Sequence, residues 1–326
     1  MSFHDVWGHE KQIEIFQKTL SQRRIGHAYL FSGIPAVGKK TLARELAKAF
    51  NCQEADAYHN SCGKCPSCRK IERGSHPDYF CIEAEGQFIR INAIRQIQEH
   101  MNFKPLEAQY RVFIIDDADK MNDQAANALL KTLEEPSPVN VLILVTSRPY
   151  SLPATILSRC RHIRFNPLTA NIIAKFLIDQ RGIEKQKAVL LANLSNGSIG
   201  QALELNNEDV IAYRNEIFEM LANTKNTEPF SLIAFASFLA QNKKGFKMGL
   251  YIVGSCFRDA LIFKETRKSQ MLINQDKAFF VEALAMRLSG EQILQNIMLV
   301  EKAEKTIEHN GNKLLTLETM AFKLKH

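Results

Sequence analysis

The sequence predicts an α/β domain with a mostly parallel sheet, followed by a C-terminal part built from helices. Short apolar runs rich in β-branched and aromatic residues alternate with helical patterns through the first half of the chain. The strand signals end after Pro167, and a glycine-containing turn separates the first strand from the helix that follows it. Strands that alternate with helices are typical of a parallel sheet covered by helices on both faces.

Five runs predict the strands, because they are apolar and lack the 3.6-residue period of a helix. They are residues 27–31, 79–82, 112–115, 141–145 and 162–165. Helical patterns lie between them at about 41–50, 91–100 and 124–133, and Pro136 follows the last of these. The alternation indicates βα units joined in sequence.

Only helical patterns follow Pro167. Two short helices are predicted at 170–180 and 186–193, and a turn at 197–200 opens another. A long helix begins at Ser289, which has Gln292 three residues later in capping-box spacing, and ends at Asn310-Gly311. We therefore divide the chain into an α/β domain (1–166), a small helical domain (167–207) and an all-helical domain (208–326).

Composition narrows the function classes without choosing one. The 326 residues are 45% hydrophobic and 24% charged, which suits globular cores and argues against disorder. No apolar run reaches the roughly 18–20 residues of a membrane helix, and the N-terminus lacks an apolar signal segment, so we expect a cytoplasmic protein. The net charge of +7 is spread along the chain. It fits work near nucleic acid and an ordinary solvated surface equally well.

A phosphate-binding loop is predicted between the first strand and the first helix of the sheet. The segment Gly33-Ile34-Pro35-Ala36-Val37-Gly38-Lys39 matches the first seven positions of G-x-x-x-x-G-K-[ST]. The glycines let backbone N–H groups turn toward phosphate oxygens, the helix adds its positive N-terminal end, and Lys39 reaches the β and γ phosphates. A strand before the motif and a helix after it are the context that this function requires.

The eighth position breaks the motif, because it holds Lys40 instead of a Ser or Thr whose hydroxyl would bind Mg²⁺. An ammonium has no lone pair to offer a cation and repels it. Thr41 is one residue late, so on a helix it points about 100° away from the required direction. Ala36 also stands where such loops often have Gly. We expect a loop that derives from a phosphate-binding loop but is impaired in binding nucleotide with Mg²⁺.

A second element of the same site follows the strand at 112–115, which ends in Asp116-Asp117-Ala118-Asp119. At the carboxyl end of a parallel strand, Asp116 would lie where Mg²⁺ and the γ phosphate sit. Asp117 stands where an ATPase usually has Glu, and its shorter side chain spoils the geometry for activating water. For Asp117 and Asp119 the alternative, capping of the next helix, is equally open.

These elements, together with later motifs, resemble the clamp-loader ATPases of the AAA+ class. The later motifs are Thr146-Ser147, Ser158-Arg159-Cys160, the stretch from Asn127 to Pro136, and the stretch from Leu152 to Ile156. The resemblance implies an α/β P-loop (AAA+) domain, a small helical lid domain and an all-α collar domain that mediates oligomerisation. It also places Thr146 near nucleotide and Gln201 where active members carry a phosphate-sensing Arg.

The resemblance further implies a hetero-pentamer with ATPase subunits, which loads a sliding clamp onto primed DNA. Its rigid stator member often lacks a working ATP site and gives the arginine of a Ser-Arg-Cys motif to a neighbouring subunit. That role falls on Arg159 alone, and the alternative is an internal ion pair. Departures at Ala36, Lys40, Asp117 and Gln201 argue against autonomous hydrolysis, while Gly33, Gly38 and Lys39 leave room for weak ATP binding.

Four of the seven cysteines predict a structural metal site. Cys52, Cys62, Cys65 and Cys68 follow C-x₉-C-x₂-C-x₂-C, in a module at about 50–70. This spacing lets four thiolates converge on one tetrahedral ion. An Fe–S cluster also takes four cysteines, but the resemblance implies zinc. His59 is near enough to compete, although four cysteines make it unnecessary. Cys81, Cys160 and Cys256 are predicted to pack in apolar surroundings.

Two rival functions remain at the level of sequence: an active ATPase motor subunit of the same loader, and a zinc-dependent nucleic-acid-binding module with a relic P-loop. Lys40 and Gln201 argue against an active ATPase motor subunit. The basic residues of the cysteine module would serve the second, although a solvated surface explains them as well. The apolar stripes at 230–241 and 278–288 could be core or subunit contact.

Overall fold

A computed structural model describes residues 3–54, 60–207, 210–223, 229–241 and 246–325. The chain divides into two compact units. The first comprises Met1–Gly182 with Asn196–Gln201, and the second comprises Ile183–Ser195 with Ala202–His326. The three-part division at 166 and 207 stays a prediction.

The first unit contains the predicted parallel sheet, in the order β2-β3-β4-β1-β5. Its strands are β1 Ala28–Ser32, β2 Tyr79–Ile82, β3 Arg111–Ile115, β4 Asn140–Thr146 and β5 Arg161–Arg164. Its helices are α1 Glu10–Ser21, α2 Lys39–Asn51, α3 Pro66–Glu72, α4 Ile91–Met101, α5 Asp123–Glu134, α6 Ala154–Leu157 and α7 Ala170–Arg181. All four strand pairings are parallel, which confirms the predicted fold class.

The three central strands β1, β3 and β4 are buried along their whole length because helices cover both faces. Phe113, Leu142 and Leu144 belong to a core cluster with apolar residues of α4 and α5, and on the other face Phe16 of α1 packs against Tyr29 and Phe31. Register pairs Ser32 with Thr146 and Ile115 with Leu144. The carboxyl ends of β1, β3 and β4 therefore meet at one edge of the sheet, which is where ligands bind in this architecture.

The edge strand β2 corrects one sequence expectation. Cys81 was predicted to pack in apolar surroundings, but its side chain is exposed. β2 is paired on one side only, and exposure rises along the strand on one face, where Tyr79 is buried and Cys81, two residues later, is exposed. Cys160 is half-buried and Cys256 is buried, as a packing role requires.

The second unit is helical in the described residues. Its helices are α8 Lys185–Leu194, α9 Ile199–Asn207, α10 Val210–Asn223, α11 Pro229–Gln241, α12 Phe246–Thr266, α13 Ala278–Arg287, α14 Gly290–Glu308 and α15 Lys313–Lys323. The first three residues of α9 belong to the first unit. The capping box predicted at Ser289 and Gln292 is present at the start of α14. No helix in the described ranges is both long and apolar enough to cross a membrane.

A buried polar network fixes the second unit around α12. Arg214 is fully buried, and its guanidinium donates to Asn274 Oδ1 and to both carboxylate oxygens of Asp276. Asp259 on α12 is also fully buried and accepts from the backbone N–H groups of Ile273 and Asn274. The connection between α12 and α13 is therefore held by charge-assisted hydrogen bonds, which are the stronger class in proteins.

Candidate nucleotide and metal sites

The loop Gly33–Lys39 lies between β1 and α2, as predicted. A Cβ at Gly33 would lie 2.4 Å from the carbonyl oxygen of Phe165, so only glycine fits there. Gly38, which precedes α2, has φ +111°, and Ala36 has φ +53° although it carries a side chain. A non-glycine residue in the left-handed region costs free energy, and Ala36 therefore depends on neighbours that hold the loop in place.

Five consecutive carbonyls of this loop accept hydrogen bonds from the protein itself. Lys39 Nζ donates to Gly33 O at 2.8 Å and to Ile34 O at 2.7 Å, and His9 Nε2 is 2.9 Å from Val37 O. The other two donors lie at the start of α9 and just before it. Ser198 Oγ donates to Pro35 O at 2.9 Å, and Gly200 N–H donates to Ala36 O at 3.1 Å.

Gly200 lies so close to the loop that a Cβ there would be 2.4 Å from the Cβ of Ala36. The loop is thus stabilised in part by residues more than 150 positions away in sequence. Lys39 is 6% exposed, and burial lowers the pKa of its amine although Asp116, Asp117 and Asp119 act in the opposite direction.

Lys40 lies beside the acid of the second element. Its ammonium is 2.9 Å from Asp116 Oδ2 and also contacts Glu83 Oε1. Burial works against the charged form, but the hydrogen bonds that Lys40 donates to Glu83 and Asp116 outweigh it and raise the pKa of the Lys40 amine. Asp116 therefore holds a side-chain cation of this chain at the place where the motif predicts a metal ion.

The other predicted site residues at this edge are also engaged. Asp117 has φ +49°, and its carboxylate accepts from Lys120 Nζ at 2.8 Å. Thr146 is fully buried, and its hydroxyl donates to Asp119 Oδ1. Among the described residues, each of the three aspartates after β3 thus has a donor of its own. The donor set does not suit Mg²⁺, which needs unencumbered oxygen ligands and no ammonium beside it.

Arg159 lies just after the short helix α6, and 36% of its side chain is exposed. One guanidinium nitrogen is 2.8 Å from Glu134 Oε1, and another donates to the carbonyl of Thr155 at 3.0 Å. The internal ion pair considered as the alternative for this residue is therefore present. Glu134 is 51% exposed, and ion pairs between such exposed groups contribute only about 0–1 kcal/mol, so the pair is easily exchanged for another partner.

The four cysteines of the predicted metal site converge. The sulfurs of Cys52, Cys62, Cys65 and Cys68 all lie within 4.8 Å of one another. A tetrahedral zinc ion with Zn–S bonds of about 2.3 Å places its sulfurs roughly 3.8 Å apart, so the donor set fits such an ion after small shifts. His59 lies outside the described residues.

Backbone amides favour the thiolate form at Cys62, whereas burial raises the pKa of Cys52 and Cys68. Cys62 Sγ accepts from the N–H groups of Lys64 and Cys65, and Cys65 Sγ accepts from the N–H of Cys68. Burial opposes ionisation of Cys62, but these amides and the neighbouring thiols lower its pKa to about 7. A thiolate is the form that binds metal, so Cys62 can supply it near neutral pH.

A buried ion pair lies within α2, the helix that carries Lys39 and Lys40 at its start, and its lysine also contacts the cysteine module. Glu45 and Lys48 are 0% and 1% exposed, with Lys48 Nζ 2.8 Å from Glu45 Oε1. Lys48 also contacts Glu72 on α3. The phosphate loop immediately precedes α2 and Cys52 immediately follows it, so this one helix joins the two sites.

The apolar stripes of the second unit divide between core and surface. Leu232, Phe235 and Leu239 on α11 are buried. On α13, Leu284 is buried, but Phe279 is 88% exposed and Met286 is 65% exposed. Sequence periodicity could not separate the two sets, because neighbouring helices decide which stripe is covered.

A parallel α/β unit with a P-loop motif and an acidic third strand, followed by helices, defines a protein of the P-loop α/β class. Two family models match the chain: "DNA polymerase III, delta subunit" over residues 8–169, and "DNA polymerase III, delta subunit, C terminal" over residues 208–326. The chain is 32% identical over 304 residues to DNA polymerase III subunit delta' of Bacillus subtilis, covering 92% of this chain and 91% of that protein. The chain belongs to the delta' family of DNA polymerase III clamp-loader subunits.

Other similar proteins match either over a smaller share of their length or at lower identity. Subunit tau of Bacillus subtilis is 36% identical over 208 residues, which are 62% of this chain but only 37% of that protein. A DNA polymerase III gamma subunit-related protein of Thermotoga maritima aligns over 95% of this chain and 97% of its own, at 19% identity and a TM-score of 0.43. That structural similarity is too low to carry an argument.

Three contacts of the site were absent from the sequence analysis: Glu83 beside Lys40, Glu134 beside Arg159, and the turn Ser198–Gly200 against the loop. Glu134 belongs to the stretch that carries the family resemblance, which was a usable signal. Nothing in the sequence distinguishes Glu83 from the other acids near β2.

Proposed function

We propose that this clamp-loader subunit acts as a stator, which supplies Arg159 in trans to a neighbouring ATPase subunit and does not hydrolyse ATP itself. The observation that carries the second part is the ion pair between Lys40 and Asp116 at 2.9 Å. It puts a fixed ammonium beside the carboxylate that would hold Mg²⁺, and phosphoryl transfer depends on that ion to neutralise developing charge.

Arg159 supports the first part of the proposal. It lies beyond a four-residue helix, is partly exposed, and is held by an exposed carboxylate that a stronger anion could displace. A guanidinium in that position can stabilise charge on the γ phosphate of an adjacent subunit, an effect of about 10³–10⁵ in rate where such arginines are established.

The proposed setting is a hetero-pentamer with ATPase subunits and delta, in the cytoplasm, acting on the sliding clamp and primed DNA. In it, residues 167–207 form the lid and residues 208–326 the collar that joins the subunits. The exposed Phe279 and Met286 favour a collar contact, because large apolar side chains at such exposure are enriched at interfaces. The ion in the cysteine module is proposed to be structural zinc.

The test is the reconstituted loader with Arg159→Ala. We expect assembly to persist and ATP turnover to fall at the one site that this subunit completes. Arg161→Ala, which removes a nearby exposed arginine on β5, is the matched control and should leave turnover unchanged. Full turnover with Arg159→Ala would refute the role in trans.

The rival functions give different results with the chain alone. An active motor subunit would hydrolyse ATP without partners and lose that activity in Lys39→Ala. A zinc-dependent nucleic-acid-binding module would bind DNA with a steep salt dependence and release it when the metal is removed.

A further inference from the structure

The charges around Lys40 have a consequence for the ligand that the phosphate loop can accept. We infer that the loop binds the polyphosphate chain of a nucleotide without Mg²⁺, with the Lys40 ammonium as the cation of the site. This rests on the impaired ATP site of the proposed function and specifies the metal-free nucleotide as its ligand.

The first support is that the acids of the site already have partners within the chain. Asp116 is paired with Lys40 at 2.9 Å and Asp117 with Lys120 at 2.8 Å. Asp119 accepts a hydrogen bond from the hydroxyl of the fully buried Thr146. A divalent cation entering here would have to displace an ammonium and then remain beside it, whereas a P-loop with Ser or Thr at the eighth position offers a neutral oxygen.

The second support is that the groups that bind phosphate are retained. Lys39 is buried against the loop, and its ammonium is fixed by two carbonyls at 2.7 and 2.8 Å. The N–H groups in the first turn of any α-helix lack an intrahelical partner. In α2, which is 13 residues long, no capping side chain takes that place. Two successive lysines at a helix N-terminus make a strongly anion-binding arrangement.

The third support is the local repulsion between Lys40 and a metal ion. Lys39 and Lys40 balance Asp116 and Glu83, Lys120 balances Asp117, and Asp119 leaves one uncompensated negative charge, so net charge does not select the ligand. A nucleotide with Mg²⁺ bound brings its own cation toward the fixed Lys40 ammonium, whereas the free nucleotide does not. Added Mg²⁺ therefore competes with the site for the phosphates.

The experiment measures binding to the isolated full-length chain by calorimetry, in buffer freed of Mg²⁺ by a resin. A soluble chelator is avoided because it would also remove a metal from the cysteine module. ATP and inorganic tripolyphosphate are titrated separately, first without Mg²⁺ and then with Mg²⁺ in excess. We expect both anions to bind without the metal, and ATP to bind at least tenfold more weakly when it is present.

Lys40→Thr should reverse this dependence, because it supplies a hydroxyl at the eighth position and releases Asp116. Lys40 is 43% exposed, so the substitution should not impair folding. Lys39→Ala should abolish binding in both conditions. Lys11→Thr removes the same charge from an exposed position on α1 and should change nothing.

Binding by the parent chain only when Mg²⁺ is present, or no binding in its absence, would overturn the inference. An unchanged metal response in Lys40→Thr would do the same. Binding of ATP but not of tripolyphosphate would show that base and sugar contacts hold the ligand instead of the charges invoked here. None of these results touches the test of Arg159 in the assembled loader, so the two ideas can fail separately.

Discussion

The buried ion pair between Glu45 and Lys48 of α2 should stabilise the first unit, because Glu45 also contacts Ser61 and Lys48 also contacts Glu72 in the neighbouring cysteine module. Replacing Lys48 with Met leaves the Glu45 carboxylate, which is 0% exposed, with the Ser61 hydroxyl at 3.4 Å as its nearest donor. Breaking a buried pair from one side costs about 3–5 kcal/mol. Glu72 also loses its contact with Lys48, but it is 36% exposed and regains water.

The double variant Glu45→Met, Lys48→Met should recover most of that loss. Replacing both members of a buried pair by apolar side chains of similar size is often neutral or stabilising. Glu45→Met alone should cost about 1–2 kcal/mol, because Lys48 keeps Glu72 as a partner. The two substitutions should therefore be coupled by at least about 2 kcal/mol.

Urea unfolding followed by tryptophan fluorescence measures the free energy of unfolding of the first unit in each variant. Trp7 is the one tryptophan of the chain, and it packs against Phe176 at 5.5 Å within the first unit. Metal is kept saturating in every sample. Lys70→Met is the control, because it breaks an exposed pair with Glu107 and should cost less than about 1 kcal/mol. A cost below that value for Lys48→Met, or strictly additive singles, would refute the reasoning.

Two further results are expected. Cys65→Ser should reduce bound metal to near zero and lower the stability of the first unit, as elemental analysis and unfolding would show, whereas Cys81→Ser, outside the cluster, should retain full metal content. In the second unit, burial opposes ionisation of Asp276, but its hydrogen bonds with Arg214 outweigh this and hold its pKa below the usual range. Because the folded-state pKa is depressed, the stabilisation is complete above the unfolded-state value of about 3.9 and is lost as the pH falls through the folded-state pKa. The protection factors of the α12 amides, which correct for the intrinsic pH dependence of exchange, should fall in the parent chain as the pH drops through the folded-state pKa of Asp276. Asp276→Asn should lower them already at pH 7, with little further change on acidification.

The sequence predicted the parts of this protein that depend on local patterns. The strand at 79–82 has the observed bounds, the others agree within one or two residues, and the spacing of the four cysteines predicted their convergence. Lys40 was identified as incompatible with a metal because that conclusion needs only its chemistry and its place in the motif. The family resemblance drew attention to Arg159, whose role in trans stays a prediction.

The features that the sequence did not predict depend on contacts between residues distant in the chain. The pairing of Lys40 with Glu83 requires the end of β2 to lie beside the start of α2, which only the strand order determines. Exposure of Cys81 follows from the edge position of β2, and an isolated four-residue apolar run carries no sign of an edge. The apolar stripe of α13 likewise looked uniform in sequence, although Phe279 and Leu284 have opposite environments.

The hydrogen bonds from Ser198 and Gly200 to the phosphate loop bear on how the protein can be divided for study. A recombinant fragment that stops at residue 166 would include every motif residue of the loop yet lack two of the donors that hold its carbonyls. Ala36, with its positive φ, would lose the neighbour that packs against it. Nucleotide affinity measured on such a fragment would describe a relaxed loop, and the shortest faithful unit extends at least to Gln201.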